Sequence, residues 1–293
     1  MRKIKTADGS GWHIEYGILS KKEVMTLTHG YADKIKYEGQ YPTWRLRGDA
    51  KALLSDKYTR IAIVGTRDIR YKERQKVFQI VSDLKASGIN PVIISGLAFG
   101  TDEAAHSAAL AAGIPTYAIL PTGLDAIYPK VHKGLAERMA AAGGGVLTYF
   151  PDGTEPQAIN FMMRNTAIAL AADILIIPFS KAKGGAMVTA RLAKSYGLEL
   201  IYAVPGDDGA PNSRGCNDLI REGTAKPLPT SPIEAKDISR AGLVSSAAVE
   251  QLINDYFFKH YAAITDASRD TRDIVTDIAR HFISIGIELA EKK

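Results

Sequence analysis

Seven cations, Arg67, Arg70, Arg164, Lys181, Lys183, Arg191 and Arg214, stand in or beside glycine-rich turns. Each turn follows a short apolar run: Gly65-Thr66-Arg67 after "IAIV", then "SGLAFGTDEAAH" (95–106) with Gly96 and Gly100, "LPTGLDAIYP" (120–129), "FPDGTEPQAINFMMRN" (150–165), "FSKAKGGAMVTAR" (179–191) and "VPGDDGAPNSRGCN" (204–217). Fixed charges and hydroxyls so placed suit phosphate, to which they donate charge-assisted hydrogen bonds. Each cation alone has a plainer use, as a helix cap, a solubilising group or the partner of Asp102 or Asp125. Together they describe one anion-binding surface.

The first turn starts like a dinucleotide fold and then departs from it. A G-x-G-x-x-G fingerprint would place two more glycines after Gly65, so that bare backbone cradles a pyrophosphate. Thr66 and Arg67 stand there instead, followed by Asp68 and Arg70. A hydroxyl and a guanidinium suit a phosphate held beside exposed backbone N–H groups.

Other chemistries lack their residues. The six histidines are scattered, with no pair at metal-ligand spacing. There is no Walker lysine motif, no G-x-S-x-G elbow and no trustworthy carboxylate pair in one turn. His106, on a helical stretch after Glu103, reads as a packed or partly exposed histidine. No metal, cofactor or catalytic group is expected.

The elements that carry these turns are legible from periodicity. "RIAIVG", "NPVIISG", "PTYAILP", "GGVLTYF", "DILIIPF" and "LELIYAVPG" are apolar, β-branched runs. Between the first six sit "KERQKVFQIVSDLKASG", "GTDEAAHSAALAAG", "HKGLAERMAAAGG", "NFMMRNTAIALAA" and "GGAMVTARLAKSYG", which have helical spacing. Continuous apolar strands alternating with amphipathic helices predict an α/β fold with a mostly parallel sheet covered on both faces. Right-handed crossovers make it doubly wound. In such a sheet ligands sit beyond the carboxyl ends of the strands, where all six turns fall.

Three segments are expected: 1–57, helical and extended with no repeated strand pattern; 58–230, the α/β domain; and 231–293, a helical tail. Ser20, with Glu23 three residues on, predicts a capped helix within 20–35. "EGQYPTWRL" (38–46) reads as an extended connector whose Tyr41 and Trp44 pack on the following domain. After the break "LPTSPIEA", residues 245–261 and 268–291 read as two helices, the second with Ile274, Ile278, Phe282 and Ile285 on one face.

Composition is compatible with this organisation. The chain has 293 residues, 46% of them hydrophobic, which supports a sizeable core. A net charge of +5 suits a nucleic-acid partner but also many enzymes. The single cysteine, Cys216, excludes an internal disulfide and a cysteine zinc site. Met1 precedes a polar stretch, and "AIALAADILIIPF" (167–179) is too short to span a bilayer. A cytoplasmic protein with no membrane partner is expected.

Read in order, "IAIVGTR", "ISGLAFGTDEAAHSAAL", "AILPTGLDAIYP", "INFMMRN", "GGAMVTARLA", "AVPG" and "SRGCNDLIREGT" resemble the DNA-processing protein A family, DprA or Smf. The resemblance spans residues 41 to 228. It implies an extended Rossmann-like domain that binds single-stranded DNA, protects it and assists loading of the RecA recombinase, in recombination and natural transformation. It also implies a homodimer and no established catalytic reaction. Gly65, Thr66 and Arg67 would line the DNA groove, with Phe161, Arg164 and Asn165 of "NFMMRN" and Lys183 beside Gly184. Gly96, Gly100 and Lys181 complete the expected DNA-binding set. An aromatic ring beside cations is the physical recipe for holding single strands. The N-terminal segment is too short for the family's helical domain, and the C-terminal pair of helices does not resemble a winged helix.

Two rivals share the fold. A phosphoribohydrolase of the lysine-decarboxylase-like (LOG) family would carry P-G-G-x-G-T-x-x-E, but "GGAMVTAR" puts Arg191 where the acid should stand. A sensor for a small nucleotide signal could use the same turns.

Overall fold

In a computed structural model of the protein, residues 2–6, 14–30 and 43–229 are described. The predicted strands are all present: β4 (Thr59–Ile63), β5 (Pro91–Ser95), β6 (Thr116–Ile119), β7 (Gly145–Thr148), β8 (Ile174–Ile177) and β9 (Ile201–Ala203). Between them run the predicted helices α3 (Tyr71–Ala86), α4 (Thr101–Ala111), α5 (Lys133–Ala141), α6 (Ala158–Ala171) and α7 (Gly185–Ser195), and α8 (Arg214–Arg221) follows β9. Among the described residues the sheet has the order β1-β2-β3-β7-β6-β5-β4-β8-β9-β10, parallel from β7 to β10. β10 is Lys226–Pro227.

Alternation along each strand sends side chains to two different cores. Ile61, Ile63, Ile93, Ile174 and Ile176 join the helices α3 and α4 on one face. Ala62, Val92, Ile94, Leu175 and Ile177 join α6, α7 and α8 on the other. Ala118 and Val146 pack with Leu135, Ala136 and Met139 of α5. Both faces are therefore buried, which is why these strands are apolar throughout.

The N-terminal segment differs from its expectation. Residues 1–57, where no strand pattern was legible, supply β1 (Arg2–Thr6), β2 (Ile14–Ile18) and β3 (Arg45–Gly48), which extend the sheet antiparallel beyond β7. The reason is the polar dress of β3. Leu46 is fully buried, but Arg45 and Arg47 flank it, and Arg45 pairs with Asp152 at 2.8 Å. An isolated apolar residue between arginines gives no periodic signal.

Two short helices accompany these strands, α1 (Lys21–Leu27) and α2 (Lys51–Leu54). The Ser20–Glu23 capping box is formed at α1: the Ser20 hydroxyl accepts from the Glu23 amide at 3.3 Å, and Glu23 Oε2 accepts from the Ser20 amide at 2.7 Å. Arg60 ties α1 to the sheet by donating to the Thr26 and Leu27 carbonyls, both at 3.0 Å, and to Asp173 at 3.1 Å. Burial would raise the Asp173 carboxyl, but hydrogen bonds from His29 and Arg60 hold it well below the usual range. Trp44 is buried with its ring 5.0 Å from that of Tyr149, the packing role expected of it; Tyr41 lies outside the described residues. So do both expected C-terminal helices and the apolar face of residues 274–285. Among the described residues no helix is long and apolar enough to cross a membrane.

Candidate nucleic-acid interface

Strand order reverses beside β4: β5, β6 and β7 lie on one side of it and β8 on the other. That reversal is the topological switch point of a doubly wound sheet, where neighbouring turns diverge and leave a crevice. The turns leaving β4 and β8 flank it. The Thr66 amide donates to the Phe179 carbonyl at 2.9 Å, joining the two turns directly. A Cβ on Gly65 would meet Thr101 Oγ1 at 2.5 Å and the Phe179 carbonyl at 2.7 Å, so glycine is required for this close approach.

The Thr66 carbonyl accepts from the Thr101 amide at 3.1 Å and from its hydroxyl at 3.0 Å. Both backbone groups of Thr66 are thus committed to the fold. The expected exposed N–H beside a phosphate is not offered by this residue, because Phe179 uses it. What the turn presents is side chains, the Thr66 hydroxyl and the exposed Arg67 guanidinium. Asn212 fixes the next turn of chain by donating to the Asp68 carbonyl at 2.8 Å.

Helix α6 delivers its motif in two directions. Phe161 is half-buried near the helix start and faces the rim: the Arg67 guanidinium carbon lies 5.2 Å from its ring centroid, and the Tyr128 ring 5.6 Å away, edge to face. Asn165, one helical turn later, is also half-buried and lies near the start of α7 at Gly185. Arg164 points inward and is only 4% exposed. It donates to the Gly96 carbonyl, and to the Ile119 carbonyl at 3.3 Å, and its charge faces Asp102. Asp102 Oδ2 in turn accepts from the amides of Gly96 at 3.2 Å and Ala98 at 3.3 Å.

Two expected DNA contacts are therefore corrected. Arg164 is a buried cross-link between the turn after β5 and the end of β6, and its guanidinium carbon lies 5.8 Å from the Phe161 ring centroid, on the protein side of that ring. Gly96 is buried, with its amide held by Asp102 and its carbonyl by Arg164; a Cβ there would sit 1.6 Å from Arg164 Nη1. Its glycine is required by the arginine. Burial raises the Asp102 carboxyl and lowers the Arg164 guanidinium, each opposed by the other's charge. Such a pair stabilises only while both partners are present.

The remaining cations divide similarly. Lys181 and Lys183 are exposed on the turn before α7, Lys181 within 3.4 Å of the exposed Asp68. Gly184 caps α7, and a Cβ on it would meet Ser180 Oγ at 2.8 Å. Gly100, with φ 75°, caps α4. Arg70 is exposed beside the first turn. Arg191 is drawn away to Glu222 by two hydrogen bonds of 3.0 and 2.8 Å, and Arg214 Nε donates to the Asp208 carbonyl at 3.0 Å.

His106 is fully buried, the packed of the two arrangements expected for it. One ring nitrogen bonds Thr116 Oγ1 at 2.7 Å, the other has no partner among the described residues, and desolvation lowers its pKa to about 3. Cys216 is buried and unbridged. Among the described residues no group of three or more histidine, cysteine or carboxylate side chains could hold a metal ion. Two rim aromatics escaped the sequence reading, Phe99 and Tyr128, both exposed. Their turns were legible, but nothing local distinguishes an exposed ring from a buried one.

A family model described as DNA recombination-mediator protein A matches residues 24–240. DNA processing protein DprA of Streptococcus pneumoniae is 35% identical over 167 residues, covering 57% of each chain. Protein Smf of Escherichia coli is 34% identical over 183 residues, covering 62% of this chain and 48% of its own. The chain thus spans about half the length of these curated relatives. Among solved structures, that of DNA processing protein A from Streptococcus pneumoniae superposes with a TM-score of 0.59 at 32% identity, over 70% of this chain and 68% of the other. The structure of DNA processing protein A from Helicobacter pylori, which concerns that protein's single-stranded DNA binding mode, gives a TM-score of 0.60 at 25% identity, over 83% and 96%.

Proposed function

This chain belongs to the DNA recombination-mediator protein A family, and from that premise we propose that it binds single-stranded DNA along the switch-point crevice. The observation that carries the proposal is the exposed Arg67 guanidinium set over the ring of Phe161. It places a phosphate anchor and a base-stacking surface within one nucleotide of each other. Thr66, Asn165, Lys181 and Lys183 line the same path, on a backbone shaped by Gly65, Gly100 and Gly184. Among the described residues the crevice is bordered by turns and helix starts, with no helix projecting from it to enter a duplex groove, which favours a flexible single strand.

Holding and protecting the strand, and presenting it to the RecA recombinase as a cytoplasmic homodimer, is the activity this site would serve. A binding role rather than catalysis is supported by Arg191: it stands where the phosphoribohydrolase acid would stand, and it is paired with Glu222.

The test is a titration of oligomers of each kind across salt. Single strands should bind more tightly than blunt duplex of equal length, with log K falling by roughly 0.7 per log unit of salt for each phosphate neutralised. Equal or tighter binding of duplex overturns the proposal.

A further inference from the structure

Phe99 is half exposed (50%) at the tip of the turn between β5 and α4. We propose that its ring is a second base-stacking platform, so that the crevice holds two bases of a single strand on two separate rings, Phe161 and Phe99. This rests on the binding function proposed above and adds to it a subsite and a nucleobase ligand.

The exposure is built into the backbone. Leu97, two residues earlier, has φ 60°, a conformation unfavourable to a branched side chain, and Gly100 has φ 75°. Both are held. The Leu97 side chain is fully buried, and its carbonyl meets His132 Nδ1 at 2.7 Å. The Ala98 amide donates to Asp102, and the Ala98 carbonyl accepts from the Glu103 amide at 3.1 Å. On the other side, the Gly100 carbonyl accepts from the Ala104 amide at 3.0 Å. With anchors on both sides, Phe99 cannot withdraw into the core by a shift of the chain.

The ring also packs on an aromatic neighbour. The His132 ring lies 4.9 Å away at 61°, an edge contact, while half of the Phe99 surface stays open to solvent. An ordered aromatic surface with its supporting contact already made is what a stacking base requires.

The turn that carries Arg67 touches both platforms. Its side chain lies over Phe161. Its backbone abuts Gly100, next to Phe99: a Cβ on Gly100 would come within 2.5–2.6 Å of the Arg67 carbonyl group and the Thr66 oxygen. A strand anchored by a phosphate at Arg67 therefore has two rings for its flanking bases, Phe161 at the start of α6 and Phe99 on the adjoining turn.

The experiment compares an oligothymidylate with an abasic deoxyribose-phosphate strand of the same length, by anisotropy, on the full chain. Phe99→Ala should weaken oligothymidylate binding by about fivefold or more, the lower end of a single stacking contact, with the salt slope unchanged. It should leave the abasic strand unaffected, and Phe99→Tyr should restore wild-type binding. Phe99→Leu keeps an apolar group against His132 and should lose as much as Phe99→Ala, so it decides the matter if the alanine protein melts early. Wild-type affinity for oligothymidylate in Phe99→Leu, with binding still abolished by Arg67→Glu, overturns this inference alone. An equal loss on both strands overturns it too, because the ring would then act through the backbone path. Failure of the wild-type protein to bind either strand overturns the binding function and this subsite with it.

Discussion

The guanidinium carbon of Arg67 lies 5.2 Å from the centroid of the Phe161 ring, although the two residues belong to different elements, the turn after β4 and the first turns of α6. A cation over an exposed ring contributes about 0.5–1 kcal/mol. That biases the free side chains toward the paired arrangement by roughly two- to fivefold, less than the rotamer entropy an arginine gives up when fully ordered. The same contact brings a guanidinium and an aromatic ring together at the place where the sheet's strand order reverses.

Arg67→Glu is expected to remove most single-strand binding while leaving the melting temperature near that of the parent protein. Arg67 is exposed and its described contact is with a ring, so little of the fold depends on its charge. Reversal turns attraction for phosphate into repulsion. A folded variant with unchanged affinity in an anisotropy titration would take Arg67 out of the site.

Charge and stacking should separate at this pair. Phe161→Ala is expected to weaken binding by roughly 1–3 kcal/mol with the salt dependence unaltered, since no phosphate contact is lost. Arg67→Ala should flatten the salt dependence by about one ion's share, near 0.7 in slope. Salt titrations of both variants on one oligomer check this; identical slope changes would show that the ring and the guanidinium act as a single contact.

Arg164→Met should act on stability. It removes the donor to the Gly96 and Ile119 carbonyls and leaves Asp102 buried without its counter-charge. Each buried carbonyl left without its donor costs about 1–3 kcal/mol, and Asp102 loses the nearby positive charge as well. Urea unfolding should show the loss. A variant of parental stability with a flatter salt slope would return Arg164 to the phosphate-binding set.

His106 should make the protein acid-sensitive in a defined window. Its folded pKa is about 3 against an ordinary 6.5, because burial disfavours the imidazolium. As pH falls below about 6.5 the unfolded chain takes up a proton that the folded protein refuses. Stability is thus fully present above pH 6.5 and is lost towards pH 3, by up to about 1.4 kcal/mol per pH unit. The depressed Asp173 carboxyl acts in the same direction at lower pH. Chemical denaturation of His106→Gln beside the parent isolates the histidine's part: the difference between the two should shrink as pH falls, and a constant difference refutes it.

Much of this molecule is legible locally. Six apolar runs and five helical stretches alternate in the chain, and each became an element, because a strand buried on both faces has few ways to be polar. The Ser20–Glu23 box closed as its spacing required. The placement of the glycine-rich turns at one rim follows from the same alternation, since every strand from β4 to β9 points one way. β3 was not legible, because its sheet position is set by pairing with β7 and Arg45 finds its partner, Asp152, far away in sequence.

The identity of each rim residue was decided only in three dimensions. Phe161 and Arg164 stand one helical turn apart in a single motif, yet one faces the crevice and the other is buried against carbonyls of the turn after β5 and the end of β6. Arg191 and Lys183 sit in one glycine-rich stretch, yet Glu222 claims the first and leaves the second exposed. Phe99 lies outside because Asp102 and His132 pin the turn that carries it. Periodicity is a property of neighbours along the chain, and it fixes which face of an element is apolar. The fate of a charge or a ring at an element's end depends on acceptors that only the packed sheet brings within reach.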